Sequence, residues 1–147
     1  MKTPPSSSPF WKLFHLYTVA NTWIYRRTGG QRGGRMGRAP ILLLHHVGRA
    51  TGKARVSPLI YLDDGDRLVI VASKGGTDTN PAWFHNLMGA PDTEIEVGRD
   101  RRRVHARRAS QEERDALWPR LVEMYPDYAN YQRQTDRVIP VVVLDPR

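Results

Sequence analysis

The fold is decided by residues 56–72, which read VSPLIYLDDGDRLVIVA. Two apolar runs, 56–62 and 67–72, lie on either side of the sequence Asp63-Asp64-Gly65-Asp66. An Asp-Gly pair between two such runs is the strongest short-range indication of a β-hairpin. We therefore predict two antiparallel strands joined at this turn.

Further apolar runs of strand length occur on both sides of this hairpin. We predict strands at 41–47, 56–62, 67–72, 93–97, 102–108 and 138–144. Six strands joined mostly by hairpins favour a small antiparallel barrel with helices packed outside it, which makes the protein mainly β with α. The regular β-α-β alternation of a doubly wound dinucleotide fold is missing.

Helices are predicted in the segments with helical periodicity. An N-terminal amphipathic helix covers residues 10–27, and a second helix starts at Asn80-Pro81 and ends at Gly89. Ser110 with Glu113 forms a capping box that opens a third helix, which Tyr125-Pro126 ends.

Domain organisation is predicted to be simple. Residues 10–147 form one domain, and the Pro- and Ser-rich residues 1–9 form a flexible tail. The segment 28–38 contains five glycines, so we expect no regular element there.

The charge of the chain is unevenly distributed. Its 147 residues carry 23 Lys and Arg against 15 Asp and Glu, yet the first carboxylate is Asp63, after ten bases. This pattern indicates a surface for anions, with nucleic acid, acidic lipid or a phosphorylated cofactor as candidates. The alternative is compositional drift, because Arg outnumbers Lys by 19 to 4. The absence of Cys excludes disulfides, thiolate metal sites and cysteine nucleophiles, and it permits a cytoplasmic location.

Membrane contact is left open by the sequence. The chain has no run of roughly 20 apolar residues that could span a bilayer. The N-terminal helix either docks on the domain or lies flat at a membrane with its aromatic residues inserted.

Three segments carry candidate chemistry. The basic turn 48–58, GRATGKARVSP, and the loop that begins at Ser73-Lys74 both suit a phosphate or a carboxylate. Tyr125, Tyr128 and Tyr131 are spaced to share one helical face and to offer phenols to a substrate oxygen. The alternative for the basic turn is an exposed basic hairpin that binds nothing, and the alternative for the tyrosines is ordinary packing.

Other chemistries have little support. His45 and His46 are adjacent on a predicted strand and therefore point to opposite faces, so we predict no metal site. Ser57 and Ser73 lie outside any nucleophile elbow.

Taken in order, several motifs resemble the deazaflavin-dependent nitroreductase and quinone reductase family of actinobacteria. These motifs are NTWIYRR (21–27), GRATG (48–52), VIVASKGG (69–76), NPAW (80–83) with Asn86, WP (118–119), MYPDY (124–128) with Tyr131, and TDR (135–137) before Ile139-Pro140. The resemblance runs from about residue 10 to the C-terminus, and ordered motifs at matching spacing are far more specific than any one alone.

The resemblance implies a split β-barrel of the FMN-binding type that binds coenzyme F-420. It implies hydride transfer from C5 of the reduced cofactor to a lipophilic acceptor such as a menaquinone-like quinone, an enone or a nitroaromatic. It also implies a cytoplasmic protein, with peripheral contact to the inner face of the plasma membrane through the N-terminal segment in some members. No metal and no nucleic acid are expected, and the sequence does not define the oligomeric state.

The resemblance also implies particular site residues. Cofactor contacts fall on Arg49, Ala50, Thr51, Arg55, Val56, Ser57, Pro58, Leu59, Ile60, Val71, Ala72, Ser73, Lys74, Ala82, Trp83, Phe84, His85, Asn86 and Tyr128. We expect Arg49, Thr51, Arg55 and Lys74 to hold the anionic tail, and Val71, Ala72 and Trp83 to pack around the ring. Ser73 or one of Tyr125, Tyr128 and Tyr131 is expected to hydrogen-bond the acceptor oxygen and to help deliver a proton.

One departure from the family pattern concerns the tail. Close relatives often read GRKTG where this chain has Ala50, so one cation is lost, and Lys53 or an arginine from 32–38 is expected to compensate. Two other functions remain as alternatives. One is a non-catalytic carrier that sequesters F-420, and the other is a basic nucleic-acid-binding domain.

Overall fold

The computed structural model describes residues 10–30, 35–36 and 39–147, without the side chains of 10–18 and of Met36. The predicted tail, residues 1–9, lies outside the described residues. The strands are β1 (Arg35–Met36), β2 (Ala39–Val47), β3 (Ala54–Asp64), β4 (Arg67–Val71), β5 (Asp92–Val97), β6 (Asp100–Arg108) and β7 (Val141–Pro146). The helices are α1 (Phe10–Thr28), α2 (Ala82–Gly89), α3 (Gln111–Met124) and α4 (Asp127–Arg133), with a short 3-10 turn at Lys74–Gly76.

Six strands close into an antiparallel barrel, as predicted. Their order is β2-β3-β4-β7-β6-β5, and β5 returns to β2 through the pairs Leu43 with Glu96 and Leu44 with Ile95. The central hairpin turns at Gly65, whose φ is +74°, and Asp64 pairs with Arg67. The capping box of Ser110 and Glu113 is present at the start of α3.

Strand alternation divides the core into two main clusters. Residues of one parity, such as Leu42, Leu44 and Ile70, fill the barrel together with α2. Residues of the other parity, such as Val69 and Val71, pack against α3 and α4 outside it. Helix α2 therefore contributes to the barrel interior, while α3 and α4 cover one outer wall.

Several predicted boundaries differ from those of the structure, and three of the differences involve particular residues. The last strand begins at Val141 rather than at residue 138, because Pro140 has no N–H and the Ile139 N–H donates to the Gln132 side chain. The segment 28–38 does contain a regular element, since Arg35 and Met36 lack the conformational freedom of its glycines and pair with Pro40 and Ala39. Pro81 precedes α2 as its N-cap, with extended backbone.

No helix within residues 10–30, 35–36 and 39–147 combines the length and the apolar character that crossing a membrane requires.

Candidate functional site

The turn between β2 and β3 collects three exposed cations. The Gly48 N–H donates to Lys53 O over 2.9 Å, and the Gly52 N–H donates to Gly48 O over 2.7 Å. Arg49, Lys53 and Arg55 are exposed around this closed turn. A fixed turn with three cations and little negative charge attracts a polyanion.

Gly48 allows the turn to close tightly. A Cβ at this position would lie 2.5 Å from Thr51 Oγ1 and 3.4 Å from Arg55 Nε. Thr51 Oγ1 also accepts a hydrogen bond from the Lys53 N–H at 3.3 Å. The glycine therefore leaves room for the side chains of Thr51 and Arg55, two of the predicted tail-binding residues, to lie close over the turn.

Asn86 of α2 fastens this turn to the barrel. Its Oδ1 accepts the Arg49 N–H at 2.9 Å, and its Nδ2 lies 3.0 Å from His46 Nδ1. His46 Nε2 lies 2.9 Å from Ser57 Oγ. Burial, reinforced by the positive charges of Arg55 and His45, lowers the pKa of His46 to about 4, so the ring is neutral at pH 7.

The predicted contact run on β3 has side chains on both faces of the strand. Ser57 is bonded to His46, and Leu59 packs on the cluster inside the barrel. Val56 and Ile60 pack on a separate cluster that includes Tyr25. A ligand that lies along one face of β3 can therefore touch only alternate members of this run, which also contains Pro58 opposite Leu43.

The loop after β4 has an unusual backbone. Lys74, Gly75 and Gly76 are three successive residues with positive φ, of 44°, 64° and 77°. For Lys74, which has a Cβ, this conformation costs about 1 kcal/mol. A Cβ on Gly76 would lie 2.6 Å from the carbonyl oxygen of Tyr131, so the loop lies directly against α4.

Arg137 holds the same loop from behind. Its guanidinium donates to the carbonyl oxygens of Thr77 at 2.8 Å, Ala72 at 3.2 Å and Ser73 at 2.7 Å. It also donates to Asn80 Oδ1 at 2.7 Å, just before α2. Burial lowers the pKa of Arg137, but a guanidinium remains charged at pH 7. One side chain thus fixes the loop from residue 72 to residue 80.

The aromatic side chains of α2 contribute mainly to the core. Trp83 is 8% exposed and Phe84 is 6% exposed, and their rings meet edge to face at 6.4 Å. Val71 and Ala72 are likewise buried, while Ala82 and His85 are exposed. The predicted ring-packing residues therefore offer a cofactor little free surface.

Three tyrosines form a cluster beside the loop. The rings of Tyr125 and Tyr128 lie 4.9 Å apart, and the Tyr131 ring is 6.3 Å from each of them. The hydroxyls of Tyr125 and Tyr131 are 3.4 Å apart. Burial raises the pKa of Tyr125 and of Tyr128, so both phenols stay protonated at neutral pH.

Helix α2 connects the two loops. Asn80, next to its N-terminus, is held with the Ser73–Lys74 loop by Arg137, and Asn86 with Gly89 lies against Arg49 at the other end. Eight residues of helix span roughly 12 Å. The arrangement presents a basic turn and a basic loop at a fixed separation.

Sequence reasoning gave no role to two residues that organise this site. His46 lies on the same strand face as the buried Leu42 and Leu44, which is the signal that could have placed it inside the barrel. Arg137 belongs to the TDR motif, but its acceptors lie 57 to 65 residues earlier in the chain.

The closed antiparallel barrel with helices packed outside it defines a class of small β-barrel proteins. Residues 18–146 match the F420H(2)-dependent quinone reductase family. The chain belongs to this family, which confirms the predicted resemblance and the predicted class of enzyme.

Individual relatives carry the name of the same family. A protein of Mycobacterium tuberculosis that carries the family name is 48% identical over 108 residues, covering 74% of this chain and 91% of the relative. A second relative of that species, named an F420H(2)-dependent quinone reductase, is 46% identical over 128 residues, covering 84% and 86%.

Solved structures support the fold. An F420-H2 dependent reductase superposes with a TM-score of 0.67 at 37% identity, covering 72% of this chain and 94% of its own. A chain described as a domain-swapped dimer gives a TM-score of 0.69 at 32% identity, covering 94% and 100%. A heme storage protein of Vibrio cholerae, at 12% identity and a TM-score of 0.54, covers 87% and 89% and shares the fold alone.

Proposed function

We propose that this protein is a reductase that uses reduced coenzyme F-420 to reduce a quinone, with enones and nitroaromatics as further acceptors. The observation that supports the proposal is the arrangement around α2. The basic turn is bonded to one end of this helix, and the basic loop held by Arg137 lies at the other end. Reduced F-420 supplies a hydride from C5 of its deazaflavin ring, and a quinone that takes this hydride and one proton becomes a quinol.

Binding of the anionic tail is assigned to the basic turn. The tail carries one phosphate and several carboxylates, and Arg49, Arg55 and Lys74 supply matching positive charge while Thr51 supplies a hydroxyl. These residues fit the group, because the three exposed cations of the turn lie next to the backbone that Asn86 fixes. Lys53 compensates for the cation that Ala50 does not provide.

Positioning of the ring is assigned to the loop after β4. Because Val71, Ala72 and Trp83 are buried, they would support the loop from the core side, and the backbone N–H groups near Ser73 would face the polar edge of a bound ring. The clamp by Arg137 keeps this backbone rigid, so it would hold a bound ring in one orientation relative to the acceptor.

Orientation of the acceptor is assigned to the tyrosine cluster and to Ser73. Because their pKa values are raised, Tyr125 and Tyr128 keep their protons and act as hydrogen-bond donors to the acceptor oxygen. The buried Tyr128 ring would also exclude water from the hydride path.

Turnover tests this function against its alternatives. Reduced F-420 is mixed with menadione and catalytic protein, and loss of the reduced cofactor is followed by the rise of oxidised F-420 absorbance. The proposal expects multiple turnovers. Binding of F-420 without turnover, with quinone, enone and nitroaromatic acceptors all tried, supports the carrier instead, and binding of oligonucleotide alone supports the nucleic-acid domain.

Charge reversal tests the assignment of Lys74. Lys74→Glu is expected to weaken F-420 binding at least about tenfold, because it places a carboxylate next to the anionic tail. Arg103→Glu on the exposed face of β6 makes the same change in net charge away from the loop and is the matched control. An unchanged dissociation constant for Lys74→Glu removes this residue from the site.

We also propose peripheral membrane contact through α1. Its C-terminal end is fixed to the barrel, since the Tyr25 hydroxyl accepts the Gly98 N–H at 2.7 Å and Arg26 pairs with Glu96 at 2.9 Å. Val19 and Trp23 nevertheless remain 55% and 61% exposed. Flotation with anionic liposomes is expected for the full chain and lost in Trp23→Ser, and equal flotation would exclude α1 as the anchor.

A further inference from the structure

The hydrogen bonds around His46 fix the direction of a whole chain of contacts. The Arg49 N–H can only donate, so the Asn86 side-chain atom 2.9 Å away must be its carbonyl Oδ1. The amide nitrogen Nδ2 of Asn86 then faces His46 Nδ1 at 3.0 Å. The backbone of the basic turn therefore dictates which way the buried amide points.

The orientation of Asn86 in turn selects the tautomer of His46. An amide nitrogen only donates, so His46 Nδ1 must accept and carries no proton. The proton of the neutral ring sits on Nε2, which donates to Ser57 Oγ at 2.9 Å. A proton on His46 Nδ1 would place one N–H donor opposite another, the Nδ2–H of Asn86, and no hydrogen bond could form between them.

Ser57 is the last residue in this series of hydrogen bonds, and its hydroxyl donor is unused. Its Oγ accepts from His46, and within residues 10–30, 35–36 and 39–147 the hydroxyl makes no other hydrogen bond. Ser57 is half-buried on β3, two residues after Arg55, whose guanidinium lies over the turn. The hydroxyl is thus prepared to donate to an oxygen of an anion bound there.

We propose that His46 is a positioning residue for the acidic tail of the cofactor. Its Nδ1 lone pair holds Asn86, which holds the Arg49 backbone, and its Nε2–H holds Ser57 as a donor to a tail phosphate or carboxylate oxygen. This inference rests on the proposed function, because it assumes that the tail binds at the basic turn. We therefore expect His46 to affect binding of the cofactor tail and not binding of the deazaflavin ring.

Two ligands separate that effect from a general loss of structure. F-420 and a deazaflavin that lacks the phosphate and glutamate tail are titrated against the whole chain by tryptophan fluorescence. His46→Leu removes both contacts and is expected to raise the dissociation constant for F-420 about tenfold, with less than about a twofold change for the tailless deazaflavin.

Further variants and a spectroscopic measurement sharpen the test. His46→Asn keeps an acceptor at the position of Nδ1 and is expected to recover most of the lost F-420 affinity. His45→Leu, on the opposite face of the same strand, is the matched control and should leave the tail preference unchanged. Nitrogen-15 shifts of the His46 imidazole are expected to show a protonated Nε2 and an unprotonated Nδ1.

The outcomes distinguish a failure of this inference from a failure of the proposed function on which it rests. Failure of the wild-type chain to bind F-420 contradicts the proposed function itself. Wild-type binding combined with an equal loss for both ligands in His46→Leu, or with no loss, overturns the role of His46 alone. A proton found on Nδ1 does the same.

Discussion

Gly76 is the residue at which the Ser73–Lys74 loop meets the tyrosine helix α4. A Cβ there would lie 2.6 Å from a backbone oxygen and 2.7 Å from the Cα of Tyr131, and φ is +77°. Because backbone cannot rotate away as a side chain can, Gly76→Ala is expected to destabilise the protein by about 2–4 kcal/mol in urea unfolding.

Gly65→Ala is the matched control for that substitution. Gly65 has a similar φ of +74°, but apart from its chain neighbours no atom in the part of the chain that the structure describes lies within 4 Å of the added Cβ. We expect a loss of only about 1 kcal/mol from the backbone conformation. Equal losses for the two variants would show that contact with Tyr131 contributes nothing.

His46 makes the stability of the fold depend on pH. Its pKa falls from 6.5 to about 4 on folding, so between these values the unfolded chain binds a proton that the folded chain does not. Stability is therefore lost as pH falls through this window, by about 2 kcal/mol between pH 7 and pH 5. Arg55 and His45 are the charged groups that act on the ring, and the Arg49 backbone is joined to it through Asn86.

The measurement compares urea unfolding of the wild-type chain and of His46→Asn at both pH values. Contributions to the free energy of unfolding from groups that titrate equally in both proteins cancel when the two values are subtracted. The stability gap between wild type and variant is expected to be larger at pH 7 than at pH 5, and a gap independent of pH would contradict the assignment.

At the scale of elements, Arg137 joins the segment before β7 to the loop after β4 and to the start of α2. Arg137→Lys cannot reproduce a fork that reaches four acceptors, so it is expected to cost about 2–3 kcal/mol of stability and to weaken F-420 binding. Arg108→Lys, at an exposed position on β6, should change stability by less than about 0.5 kcal/mol. Unaltered F-420 affinity in a folded Arg137→Lys would show that the clamp does not shape the site.

Elements governed by local chemistry were predictable from the sequence. The Asp-Gly turn at Gly65 and the capping box at Ser110 depend on neighbouring residues, and the structure has both. The start of β7 was not predictable in this way. It is set by Gln132, whose side chain takes the Ile139 N–H that a longer strand would have used.

At the scale of the whole molecule, the uneven charge predicts how binding responds to salt. Some of the N-terminal positive charge is used internally, since Arg26 pairs with Glu96, but Arg49, Lys53 and Arg55 remain exposed. F-420 affinity is expected to fall at least about fivefold between 50 mM and 500 mM salt. The tailless deazaflavin should show almost no such dependence, and equal salt responses would argue against a tail site.

The sequence predicted which loops carry the charge but not how they are held together. The turn at Arg49 and the loop at Lys74 were both identified from glycines and cations. Their connection through Asn86, His46 and Arg137 depends on contacts between residues 37 to 65 positions apart, which no local pattern encodes.

Equilibrium binding of F-420 against FMN tests the central claim most directly. Both ligands are titrated against the same protein at low salt, and tryptophan fluorescence is followed. The account predicts saturable quenching by F-420, with FMN binding at least about tenfold more weakly, because FMN lacks the polycarboxylate tail that two basic loops would hold. Tight binding of FMN with no response to F-420 would contradict it.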